Sequence, residues 1–160
     1  MTPAERQVLI DRYAQGHQIV LDALAGATDA ELDARPPEGW TAREVVHHLA
    51  DSEMTAAIRA RLLLAVDRPQ ILGYDQDQFA RRLHYDRPIE ASLEAFKAAR
   101  RSTAELLDCL SDADWAREGT HTEHGRYTLE RWLEIYAQHA HVHAQQIQIA
   151  KGEAKKKKDA

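Results

Sequence analysis

LERWLEIYAQHAHVHAQQIQI, running from Leu129 to Ile149, is the stretch that decides how this chain folds. Leu129, Leu133, Tyr136, Ala140, His143 and Ile147 recur at alternating steps of four and three, the stripe by which a helix packs against other helices. A histidine therefore sits in the packing seam. His139 precedes His143 by one turn, so both imidazoles stand on one face at a spacing that lets one metal ion take a nitrogen from each. The same pair also fits buried histidines satisfied by a carbonyl or carboxylate.

A second histidine segment, Gly39 to Glu53, opens another helix, with Thr41 as N-cap and Glu44 three positions on completing a capping box. Val45, Leu49, Ser52 and Ala56 make a narrow inward stripe with His48 on its shoulder. Spacing alone thus brings three histidines from two helices toward one place.

The remaining periodic segments are a helix from Pro3, capped by Thr2, to about Ala25 and another from Pro88 to Leu110. One short helical turn is expected at Thr28–Ala34, a short helix at Asp75–Leu83, a turn or short helix at Ser111–Trp115, and a polar loop from Arg117 to Tyr127; no strand pattern is evident. Four amphipathic helices in 160 residues specify an all-α, four-helix bundle as one domain over residues 1–152. The segment 153–160, with its lysine run, is expected to be a disordered basic tail.

The connection from Asp67 to Arg87 is long enough to climb back along a bundle, a distance of roughly 30 Å for a 20-residue helix. That points to an up-down-down-up order. The heights of His48 on its helix and of His139 and His143 on theirs also match better if those helices run antiparallel.

With 29% charged residues and a net charge of −5, the chain lacks the clustered basic excess of a nucleic-acid-binding surface. The charged N-terminus is unlike a secretory leader and no apolar run reaches membrane-spanning length, so neither a membrane nor a nucleic-acid partner is expected and the location is read as cytoplasmic. Cys109, the sole cysteine, falls in the third helix's apolar pattern and is read as core. His141 points away from the His139 and His143 pair by its two-residue offset, His17, His84, His121 and His124 lack helical partners, and all five are read as surface residues.

The sequence resembles the DinB/YfiT-like superfamily of metalloenzymes, on Trp40-Thr41, His48, and the pair His139 and His143, with Tyr74 to Ala80 matching a YfiT-branch segment. The resemblance spans Trp40 to Ile147. It implies a bundle, often a homodimer, that holds a divalent ion such as zinc or nickel through His48, His139 and His143. His48 rather than His47 matches the family position, and His47 becomes an outward or supporting residue. Gln146 stands where YfiT-like members can carry a further histidine.

Three neutral imidazoles leave a divalent ion's charge uncompensated and a coordination position open, the layout of a catalytic site. Such an ion can bring a bound water to a pKa of about 7 or hold a thiol as thiolate. The resemblance implies the same pair of activities on a small-molecule substrate: hydrolysis, or transfer of a low-molecular-weight thiol as cosubstrate. Asp51, one turn after His48, is the carboxylate that spacing offers as general base; its other readings are a hydrogen bond to a ligand histidine or an exposed charge. A non-enzymatic metal-binding stress-response or interaction protein is the alternative.

Overall fold

Four long helices follow from four capped, periodic segments. In the computed structural model, which describes the backbone of residues 1–158 and the side chains of residues 1–152, these are α1 (Pro3–Leu24), α3 (Ala42–Ala65), α5 (Glu90–Leu107) and α7 (Leu129–Lys158). Between them lie the short helices α2 (Asp29–Leu32), α4 (Gln76–Arg82) and α6 (Asp112–Trp115), and three short strands. Thr41 forms the capping box read from the sequence, Thr2 caps α1 as expected and completes a box with Glu5, and Thr128 accepts from the Arg131 backbone N–H to start α7.

The order of contacts along each pair gives the direction of every helix. On α3 and α7, His48 meets His139 while Ala56 meets Trp132, so position rises on one as it falls on the other. They are antiparallel neighbours. On α1 and α7, Arg12 meets Gln138 and Ala23 meets Lys151, a parallel pair. On α3 and α5, His47 meets Ser92 and Arg61 meets Thr103, also parallel. The bundle is therefore up-down-down-up, as the long second connection implied.

Two apolar clusters are stacked along the bundle. One gathers Ile10, Tyr13, Ala60, Leu63, Trp132 and Leu133; the other gathers Val20, Val45, Leu49, Phe96, Ala144 and Ile147. Each fully buried aliphatic side chain contributes about 1.5–3 kcal/mol. Between the clusters lies a buried polar layer in which Arg100 Nη2 meets Glu53 Oε2 at 2.6 Å and the Tyr13 hydroxyl donates to Glu53. Gly16 makes room for it, since a Cβ there would come within 2.5 Å of Arg100 Nη1.

Several expectations need correction. The segment read as a polar loop is a hairpin: β2 (Glu118–His121) pairs antiparallel with β3 (Gly125–Thr128), and β2 also pairs in parallel with β1 (Gln70–Ile71). The strands are too short to alternate visibly. Gly125, at φ 71°, closes the hairpin turn, and Gly119 lets Pro69 approach so closely that a Cβ would lie 2.4 Å from its carbonyl oxygen.

The third long helix ends at Leu107, so Cys109 is exposed in the following turn and not in the core. The last helix continues through Gly152 to Lys158; one glycine costs a helix only about 1 kcal/mol relative to alanine. Of the segment expected to be a disordered tail, only the backbone to Lys158 is described, and residues 159 and 160 lie outside the described residues. No helix among the described residues is long and apolar enough to cross a membrane.

Candidate metal centre and its cavity

Antiparallel packing of α3 on α7 carries His48 to the height of His139 and His143. Nε2 of His139 lies 3.3 Å from Nε2 of His48 and 3.1 Å from Nε2 of His143. Two nitrogens that each sit about 2.0–2.1 Å from a tetrahedral zinc ion are about 3.3 Å apart. The spacing of the three side chains thus fits one divalent ion, and their ligand atoms all lie within 4.8 Å of one another.

The protonation states fit as well. Burial, then the neighbouring His143, brings the His48 pKa down to about 3. Burial and the other two imidazoles hold His139 well below its ordinary value, and burial lowers His143 against the opposing pull of Gln146. All three are neutral near pH 7 and keep lone pairs for a cation. His143 Nδ1 lies 2.7 Å from Gln146 Oε1, which places its proton on Nδ1 and leaves Nε2 free as a donor atom. The Nδ1 atoms of His48 and His139 are buried without a protein partner.

Local sequence explains the placement of His48. Thr41 fixes the start of α3, and the Trp40 ring packs 4.7 Å from the His48 ring, centroid to centroid. His47, next along, is not outward: it is fully buried, with Nδ1 2.8 Å from Ser92 Oγ and Nε2 3.0 Å from the Arg87 carbonyl oxygen. The carbonyl can only accept, so Nε2 carries the proton and Nδ1 accepts from the serine. This pair pins α3 to the start of α5 and does not line the cavity described next.

That cavity, about 190 Å³, opens beside the histidines and is lined by His48, Ser52, Arg59, His121, Tyr136 and His139, among others. Its far wall comes from the hairpin and from the connection between α3 and α5, which contributes Tyr74 and Gln76. His121, read from the sequence as a surface residue, is buried on this wall, and its ring stacks 4.7 Å from that of His124. His121, Glu123 and His124 also form a group with metal-ligand spacing, but the Glu123 backbone N–H donates to His121 Nδ1 at 3.1 Å. In that arrangement His121 carries its proton on Nε2. Burial, with the Arg59 charge next, lowers its pKa and keeps it neutral.

Asp51 stands apart from this group. Its Oδ2 accepts from the Tyr85 hydroxyl at 2.6 Å, which ties α3 to the α3–α5 connection, and it is not among the residues lining the cavity. Tyr136 is buried and accepts from Arg59 Nη1 at 3.2 Å. Hairpin pairing and the fold of the long connection placed His121, Arg59 and Tyr74 together, and helical periodicity carries no signal of either.

Comparison with known proteins agrees with this geometry. A protein of Oceanobacillus iheyensis named "Putative metal-dependent hydrolase" is 39% identical over 109 residues, which cover 68% of this chain and 63% of that protein. A protein of Bacillus mycoides bearing the same description is 30% identical over 145 residues, covering 87% of this chain and 83% of that one. The structure of YfiT from Bacillus subtilis, described as a probable metal-dependent hydrolase with an unusual four-helix bundle topology, superposes with a TM-score of 0.88 at 29% identity. The match covers 96% of this chain and 89% of YfiT. Residues 12–147 match the profile of the DinB superfamily, an interval that contains His48, His139, His143 and the whole cavity lining, and the chain belongs to that superfamily.

Proposed function

We propose that this protein is a divalent-metal-dependent enzyme in which His48, His139 and His143 hold zinc or nickel and the nucleophile arrives from solution. The observation that carries this reading is the convergence of three neutral Nε2 atoms, 3.1 and 3.3 Å apart, at the edge of a polar cavity. An ion held by three imidazoles with an open position lowers the pKa of water or a thiol to the neutral range and polarises a carbonyl.

The chain's own residues support and orient this site. Gln146 sets the tautomer of His143, Trp40 packs against the ring of His48, and Tyr136 packs edge-on against His139 at 5.7 Å. Neither Cys109 nor Ser92 offers a side-chain nucleophile to the cavity. Cys109 is exposed beyond α5 with its Sγ on the Glu105 carbonyl oxygen, and Ser92 is buried against His47.

Hydrolysis of a small ester or amide is the reading that the relatives' descriptions support. Thiol transfer is favoured by one observation: Asp51, the carboxylate one turn from His48, is engaged by Tyr85, and a thiolate needs no general base. Both are tested by assaying zinc- or nickel-loaded protein on an activated ester without thiol and on an electrophile with low-molecular-weight thiols. Turnover in one assay that disappears on chelation and in His139→Ala is expected. Turnover indifferent to both treatments contradicts the proposal.

A further inference from the structure

Four arginines are buried among the described residues, and they differ in how their charge is met. Arg6 pairs with Asp112 and Glu130, Arg43 with Asp29 and Asp33, and Arg100 with Glu53. Arg59, 8% exposed, has no carboxylate within 4 Å among the described residues. Its guanidinium donates to the Tyr136 hydroxyl at 3.2 Å and to the Leu72 carbonyl, both neutral, and lies 5.7 Å from the centroid of the Tyr74 ring. Nε is buried with no partner. Such a charge is costly to bury unless something else compensates it.

What it faces suggests what compensates it. Arg59 lines the cavity that also holds His48 and His139, and Glu123 is the one acidic side chain on that lining. Glu123 forms no ion pair with Arg59, and its carboxylate packs so closely over Gly73 that a Cβ there would lie within 2.6 Å of it. Tyr136 links the two ends of the cavity: its hydroxyl holds Arg59, and its ring lies 5.7 Å from that of His139. The cavity, at about 190 Å³, suits a small molecule reaching from one to the other.

We propose that Arg59 is an anion subsite, and that the small molecule acted on beside His48 and His139 carries a carboxylate that pairs with it. The statement about turnover rests on the metal-dependent reading above; the subsite itself does not. A carboxylate matches the planar fork of a guanidinium and supplies the counter-charge that the protein withholds.

The test is calorimetric binding of succinate, with uncharged succinamide as control, to the full chain with zinc and after chelation. Wild type, Arg59→Lys and Arg59→Gln are compared, with thermal melting and metal content as checks on folding and on the histidine site. Succinate should bind both forms of wild type, and binding should fall about tenfold or more in Arg59→Gln, with partial retention in Arg59→Lys. The Arg59 Nε resonance should shift in the nitrogen NMR spectrum on adding succinate and not succinamide. Equal binding by wild type and Arg59→Gln, binding that needs zinc but not Arg59, tighter binding of inorganic phosphate, or no succinate binding by wild type would overturn the assignment. Arg59-dependent succinate binding by a wild type that takes up no zinc would leave the subsite standing while defeating the metal reading.

Discussion

Nδ1 of His143 donates to Oε1 of Gln146 across 2.7 Å, so a residue one turn along α7 decides which nitrogen of the imidazole keeps its lone pair. Gln146 is exposed and has little part in the core, which separates this role from packing. Gln146→Leu is expected to fold normally and to lose about 10–100-fold in metal affinity, measured by competition with a chelator. Gln146→Glu, which still accepts from Nδ1, should retain affinity. Wild-type affinity in the leucine variant would show that the hydrogen bond does not tune the site.

The buried pair of Glu53 and Arg100 separates the two apolar clusters, with side chains 0% and 1% exposed. Removing one partner leaves the other charge uncompensated, at a cost of about 3–5 kcal/mol. Arg100→Met should therefore lower the stability of the whole bundle by that order in denaturant titration. The double variant Glu53→Gln/Arg100→Met should recover part of the loss. A single variant as stable as wild type would mean that the polar layer contributes nothing to the fold.

These two pairs mark where the sequence was informative and where it was silent. The stripe on Leu129–Ile149, the caps Thr2, Thr41 and Thr128, and the length of the α3–α5 connection are local signals, and they led to the bundle and its order. His48, His139 and His143 were legible because two lie one turn apart and the third follows a capped Trp40-Thr41 start. Nothing in the helix that carries Arg100 reveals that Glu53 waits on α3. His121 and Arg59 share a cavity only through a hairpin and a long connection, contacts between residues far apart in the chain. Cys109 was misplaced because α5 ends one turn earlier than its apolar pattern.

Asp33 gives a pH dependence whose sign follows from its partner. The hydrogen bond from Arg43 holds the Asp33 carboxyl below the usual carboxylate range. The stability it contributes is complete above its unfolded pKa of about 4 and is lost as pH falls through the lower folded value. Asp33 is more than half exposed, so the effect is screened and Asp33→Asn should cost on the order of 1 kcal/mol or less at neutral pH. Thermal melts of both proteins should converge near pH 2. A gap that widens on acidification would reverse the sign argued here.

The central claim is that His48, His139 and His143 together hold one divalent ion. Elemental analysis of protein loaded with zinc or nickel and freed of excess metal, run beside His48→Ala, His139→Ala and His143→Ala, tests it most directly. The account predicts about one ion per chain in the wild type and loss of bound metal in each variant, with helical content unchanged. Wild-type metal content in any folded variant would contradict it.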